Sequence, residues 1–304
     1  MTVKMFQIIR LLARKSPALR GFVGQTLAGS GFFDWYFRGY RPGSLWQQRA
    51  ALVVASPDNA YIPRVADAGK IRRGTQLMHN GLRIAVGSYY GPEMAVILKR
   101  NRGVHEPQEE RVFQMVLPEM PAGASMLELG CFWAFYSMWF ASAVKNPQCF
   151  LLEPDSFNLK NGQRNFALNG FTGEWLNAFV SDTVDQNSSP PVLTVDYILR
   201  KYGVRQLDIL HSDVQGHEVA MLDGAGEALS SGRVRYVFIS THSNDLHVQC
   251  EKRLRANNYV MLTSIDLDDS FSEDGLIVAR HPNYEGIQPV SCSRRSKVRD
   301  WGNQ

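Results

Sequence analysis

The chain has 304 residues, 44% hydrophobic and 20% charged, with a formal net charge of +4 and a pI near 8.9. These values fit one large globular domain, or a domain with a sizeable extension, and exclude a disordered or fibrous chain. No apolar run approaches the roughly 20 residues that span a bilayer, and the charge is too diffuse to imply a nucleic-acid partner. Four scattered cysteines, Cys131, Cys149, Cys250 and Cys292, make a reducing, cytoplasmic setting the expectation.

The chain opens with Lys4, Arg10, Arg14, Lys15 and Arg20 and has no acidic residue before Asp34. Met5, Ile8, Ile9 and Leu12 fall at helical spacing, and Arg10 interrupts the apolar stretch, which argues against a secretory signal. Such a basic helix suits peripheral contact with an anionic inner-membrane surface, and equally suits packing on its own domain. "IRRGTQLMHNGLRIAVGSYYG" predicts a β-hairpin with Asn80-Gly81 as its turn. "HEPQEERVFQMVL" predicts a helix with Pro107 in its first turn. Residues 1–100 are thus expected to form an α+β extension beside a regular domain over 101–285. A basic tail over 286–304 is expected to be solvated.

From about residue 122, short apolar runs alternate with helical stretches. Strands are predicted at Ser125–Gly130, Gln148–Glu153, Gly173–Val180, Leu207–Asp213 and Arg233–Thr241. Helices are predicted at Ala134–Val144, at Ser156–Asn169, in "LTVDYILRKYG", from about Glu218, and at Asp245–Asn257. Tyr259–Ile265 and Gly275–Arg280 follow each other without a helix, which predicts an antiparallel hairpin at one edge of a parallel sheet.

In such a sheet, ligands bind outside the carboxyl ends of the strands, so the closing residues matter most. The first strand closes with Glu128 and Gly130, whose lack of a side chain permits close approach to the backbone. The second closes with Glu153, a carboxylate suited to two ribose hydroxyls. The third closes near Asn177 and Ala178, a polar edge and an apolar face for adenine. The fourth closes with Asp213 and the fifth with His242. Dinucleotides and S-adenosylmethionine both fit these groups. The dinucleotide pattern G-x-G-x-x-G is broken here by Phe132 at the second glycine, which disfavours a pyrophosphate.

Three blocks, "MLELGCFWAFYS", "LLEPDSFNLKNGQRNFALNG" and "LDILHSDVQGHEVAMLDGAG", resemble the FkbM family of S-adenosylmethionine-dependent O-methyltransferases. The likeness runs from about Gly103 to Arg280. It rests on Glu153-Pro154 with asparagines at 158, 161, 165 and 169, and on Asp213, Gly216 and Glu218. Phe132, Ala134, His211 and Gln215 depart from the family pattern.

The resemblance implies a class I methyltransferase, a Rossmann-like α/β sheet of seven strands with the last hairpin antiparallel. It implies S-adenosyl-L-methionine as cofactor, and methyl transfer to a hydroxyl of a sugar, glycan or secondary metabolite. Asn158 would join the cofactor site, and Glu106 would meet the cofactor's ammonium. His242 would act as base, with Asp213 orienting it or the acceptor hydroxyl. A divalent ion is a competing device, though the sequence contains no compact metal box. Two rival readings are a nicotinamide-dependent oxidoreductase and an inactive, membrane-associated protein that kept the fold.

Overall fold

The computed structural model describes residues 40–298. The basic helix expected at the N-terminus lies outside them, as do the last residues of the tail. Among the described residues no helix is long and apolar enough to cross a membrane.

The extension begins with α1 (Ser44–Ala55). An antiparallel three-stranded sheet of β1 (Ile71–Arg72), β2 (Thr75–Leu77) and β3 (Arg83–Ala85) follows. Its tight turn is Arg73-Gly74, with φ of 49 and 76°, the twist that a two-residue hairpin requires. Asn80-Gly81 instead occupies the longer link between β2 and β3, where the Asn80 side chain accepts from Leu82 N at 3.2 Å. Helices α2 (Pro92–Arg100) and α3 (Pro107–Val116) come next. Each opens with proline at a position whose missing N–H leaves no gap in the helix.

The main sheet comprises β4 (Ser125–Leu129), β5 (Gln148–Leu152), β6 (Glu174–Leu176), β9 (Leu207–Ser212), β10 (Val234–Thr241), β11 (Val260–Ile265) and β12 (Gly275–Arg280). The order is β6-β5-β4-β9-β10-β12-β11. All pairs are parallel except those of β12, which runs antiparallel between β10 and β11. This is the Rossmann-like sheet with a terminal antiparallel hairpin that the sequence predicts. Strand order reverses between β4 and β9, and there the crevice opens. The strand expected over 173–180 is split: after β6 the chain turns off to form β7 (Phe179–Val180), which pairs with β8 (Val192–Leu193). Asn177 sits at the break and donates to the Glu153 and Pro154 carbonyls at 2.9 and 2.8 Å.

Helices α4 (Phe135–Ala143), α5 (Ser156–Asn169), α6 (Val195–Lys201), α7 (Glu218–Asp223), α8 (Gly226–Ser230) and α9 (Asn244–Ala256) cover the sheet. Alternate residues of one strand enter opposite cores. Met126, Tyr236 and Phe238 face one, while Leu127, Val237 and Ile239 face the other. Both faces are therefore dry, as a mostly parallel sheet demands.

The asparagines of α5 dock the extension. Asn165 accepts from Ala85 N at 2.9 Å and donates to Ser88 Oγ and the Trp133 carbonyl at 3.1 and 2.9 Å. Asn169 pairs with the backbone N–H and carbonyl of Arg83. The described part of the tail is also tied down, contrary to a solvated end. Ser293 exchanges hydrogen bonds with Asp58 and Gln108, and Arg294 pairs with Asp269.

Candidate active site

Two cavities meet at the carboxyl end of the sheet. One, of about 360 Å³, is lined by Gly130, Phe132, Glu153, Asn158, Phe179 and Asp213, among others. The other, of about 290 Å³, is lined by Tyr89, Glu106, Asp213, His242 and Asp274, with an apolar wall from the extension. Tyr90, Asp213 and Gln215 belong to both. Tyr90 Oη accepts from Gln215 Nε2 at 2.9 Å and bridges the junction.

The turn after β4 shapes the first cavity. A Cβ on Gly130 would stand 1.8 Å from the Asp213 carbonyl oxygen, so a glycine is required where the two strand ends converge. Its smallness thus serves strand packing as well as access for a ligand. Phe132 and Ala134 hold left-handed φ of 41 and 61° without being glycine. That conformation costs an L-residue about 1–2 kcal/mol each.

Glu153 is the carboxylate of this cavity. It accepts from Phe132 N at 3.2 Å and Asp155 N at 2.9 Å, and its oxygens keep lone pairs for further donors. Burial, partly offset by these backbone donors, raises its pKa. Asn158 stands beside it. Glu128, Asn177 and Ala178 line neither cavity. Glu128 instead caps α4 by accepting from Ser137 N at 2.9 Å, and burial pushes its carboxyl up to about 6. Asn177 spends its amide on the backbone, and Ala178 is buried. Their neighbours Phe179 and Val180 form the wall in their place.

A charged cluster fills the junction. His242 Nδ1 lies 2.6 Å from Glu218 Oε1, and its Nε2 lies 3.3 Å from Asp213 Oδ1 and 3.4 Å from Asp274 Oδ1. Burial opposes a charge on this ring. Hydrogen bonding to Asp213 and Glu218 and the Asp274 charge prevail, holding its pKa up at about 10. Burial, reinforced by the Asp213 charge, pushes the Asp274 carboxyl up to about 7. Glu218 also accepts from Gly216 N at 2.8 Å and so fixes the loop after β9. Asp213 Oδ1 is buried without a well-aligned donor among the described residues.

Behind the second cavity lies a dry network. Glu106 Oε2 accepts from Tyr136 Oη at 2.8 Å and lies 3.1 Å from His105 Nε2. His105 Nδ1 contacts Glu110 Oε1 at 2.6 Å, and Glu110 reaches His79 at 3.0 Å. Burial works against the His105 charge, yet Glu106 and Glu110 raise its pKa to about 10. Among the described residues no group of three or more His, Cys, Asp or Glu side chains is placed to hold a metal ion.

The structure therefore gathers Gly130, Glu153, Asn158, Asp213, Glu106 and His242 at one pair of cavities. The sequence did not point to Val180 or Asp274. Asp274 had a usable signal: it directly precedes β12, and an antiparallel strand begins where its parallel neighbours end. Gly275 pairs with Thr241, the last residue of β10.

Comparisons bear on what such a site does. Residues 128–261 match the family model described as Methyltransferase FkbM domain. Among solved structures, a precorrin-6y C5,15-methyltransferase from Geobacter metallireducens aligns at 13% identity and a TM-score of 0.40, covering 57% of this chain and 88% of that one. The METTL16 methyltransferase domain aligns at 12% and 0.45, covering 78% and 92%. TrmK of M. capricolum, with bound S-adenosyl-homocysteine, aligns at 9% and 0.40, covering 57% and 69%. No curated protein sequence matches the chain. Residues 128–261, which carry the β4 turn, Glu153, Asp213 and His242, match the FkbM methyltransferase domain, and the chain is a methyltransferase.

Proposed function

We propose that the chain transfers a methyl group from S-adenosylmethionine to a hydroxyl of a small molecule, on a sugar, a glycan or a secondary metabolite. The meeting of two cavities at Asp213 carries this reading. A ligand whose nucleoside end fills one cavity presents its other end at the mouth of the second.

The residues of the first cavity fit an adenosyl group. Glu153 offers a carboxylate with acceptor capacity for ribose hydroxyls, and Leu152, Phe179 and Val180 offer apolar faces for a base. Phe132 fills the place where a dinucleotide turn leaves room for a pyrophosphate, so a nicotinamide cofactor fits poorly. Bound here, S-adenosylmethionine supplies an electrophilic methyl on a sulfonium. Glu106 supplies negative charge for an ammonium in the adjoining cavity. Leu52, Val53, Met94, Ile97 and Phe271 form the apolar wall there, suited to an acceptor with a nonpolar face beside its hydroxyl. Asp213 lines both cavities at their junction, where its carboxylate can help hold that hydroxyl in line.

Calorimetric titration tests the cofactor. S-adenosylhomocysteine should bind and NAD(P) should not; the reverse result would assign an oxidoreductase, and binding of neither a protein without this cofactor. Tritiated methyl from S-adenosylmethionine should then enter a base-stable ether in extract of the source cells. Label confined to base-labile esters or to amines would exclude the hydroxyl acceptor.

A further inference from the structure

We propose that Asp274, not His242, is the base that takes the acceptor's proton. The inference rests on the methyl-transfer reading above. Geometry separates the two candidates. The ring of His242 is flanked by carboxylates at both nitrogens, with Glu218 at Nδ1 and Asp213 and Asp274 at Nε2. An imidazole so placed donates on both sides and has no lone pair to offer. Its raised pKa agrees with a ring that stays cationic at neutral pH.

Asp274 differs in what it faces. It lines the 290 Å³ acceptor cavity and also a pocket of about 10 Å³ behind it, shared with Glu106, Glu109 and Ser240. That inner space is about the size of one water and is walled by polar groups. A carboxyl between the acceptor and this space can accept a proton from one side and pass it to the other.

The groups facing Asp274 come from every neighbouring element. They are Asp213 after β9, His242 after β10, Glu106 just before α3 and Glu109 within it, Arg49 of α1, and Tyr89 and Tyr90 of the loop before α2. Burial and three acidic neighbours, Asp213, Glu106 and Glu109, disfavour a further negative charge, and His242 favours it. The balance places the carboxyl near 7, where a base is ionised yet still basic enough to hold a proton.

The step balances simply. The acceptor oxygen bonds to the methyl carbon, and the carbon–sulfur pair goes to sulfur, leaving a neutral thioether. The hydroxyl proton moves to Asp274, whose negative charge is neutralised. His242 then acts as a positioning residue, held by Glu218 and bridging the two aspartates.

Two readouts test this on the full chain. With saturating S-adenosylhomocysteine and ¹³C-carboxyl-labelled aspartate, one carboxyl resonance should titrate near 7 and vanish in Asp274→Asn. No such resonance, or its persistence in the variant, would overturn the proposal. In transfer of tritiated methyl to a heat-treated extract of the source cells, Asp274→Asn should lose about a hundredfold or more in rate. Its affinity for S-adenosylhomocysteine should stay within about threefold. The acid limb of the wild-type pH profile should go with it, and Asp274→Glu should recover part of the rate. Transfer within about threefold of wild type in Asp274→Asn, alongside abolition in His242→Gln, would return the role to the histidine. Failure of the wild type to bind S-adenosylhomocysteine would sink the cofactor reading instead, which the same titrations report separately.

Discussion

The two cavities share Asp213 but are built by different means. The cofactor side takes its floor from strand ends of the main sheet, at Gly130, Leu152, Glu153 and Asp213, with Phe179 and Val180 of β7 adding a wall. The acceptor side is closed by pieces from outside that sheet: α1, the Tyr89-Tyr90 loop, α2, the start of α3 and the Phe271–Asp274 segment. On the first side the backbone sets the shape, and Gly130 tolerates no added atom. On the second, side chains set the shape, and buried ion pairs of α3 hold the wall upright. Substitutions should therefore act on the first side through geometry and on the second through charge.

The largest effect is expected where backbone meets backbone. Gly130→Ala forces apart the ends of β4 and β9, and also places alanine at a φ of 72°. A loss of about 3–5 kcal/mol in unfolding free energy is expected, with cofactor binding abolished. A variant that still bound S-adenosylhomocysteine normally would contradict the rigid-turn account.

His105→Gln probes the other side. It removes the partner of two buried carboxylates, Glu106 and Glu110, and should cost about 3 kcal/mol. The dependence on pH has a definite sign. The His105 pKa rises from 6.5 to about 10, so its contribution is complete below 6.5 and fades as pH climbs through 10. Glu110, whose pKa His105 and His79 lower against the effect of burial, contributes above its ordinary 4.5 and loses that contribution in acid. The gap between wild type and variant should thus be widest at pH 4.5–6.5 and close toward 10. Urea midpoints measured across that range would show it; a flat gap would mean that the histidine matters only for packing.

Glu153→Gln leaves the turn's backbone donors partly satisfied and removes the charge. S-adenosylhomocysteine affinity should fall by about tenfold, roughly 1–2 kcal/mol, with little change in unfolding. The smallest effect should be a gain. Ala134 caps α4 at a φ of 61°, and Ala134→Gly relieves that strain for about 1 kcal/mol of added stability. A melting temperature that falls would show that the alanine methyl is needed against its neighbours.

The same contrast explains what could be read from the sequence. Strand ends are local, because Glu153 closes an apolar run and Asp213 closes another, and periodicity alone places them at one edge of the sheet. The main helices and the terminal hairpin are legible for the same reason. Glu128 misled because a strand-end carboxylate can serve the next helix as well as a ligand, and only the contact with Ser137 N decides. The third strand misled because its apolar run continues through a break that a side-chain amide stabilises. The rest of the acceptor-side wall was illegible because its residues converge from segments more than 200 residues apart, Arg49 and Asp274 among them. No short-range pattern carries that encounter.

Asn165 has a consequence for how the halves communicate. One amide holds the Trp133 carbonyl of the cofactor turn and, through Ser88 and Ala85, the base of the loop that carries Tyr89 and Tyr90. Floor and roof of the reaction chamber are both pinned to this one side chain. The spacing of floor and roof, and with it the room left for the second reactant, is thus tied to this side chain.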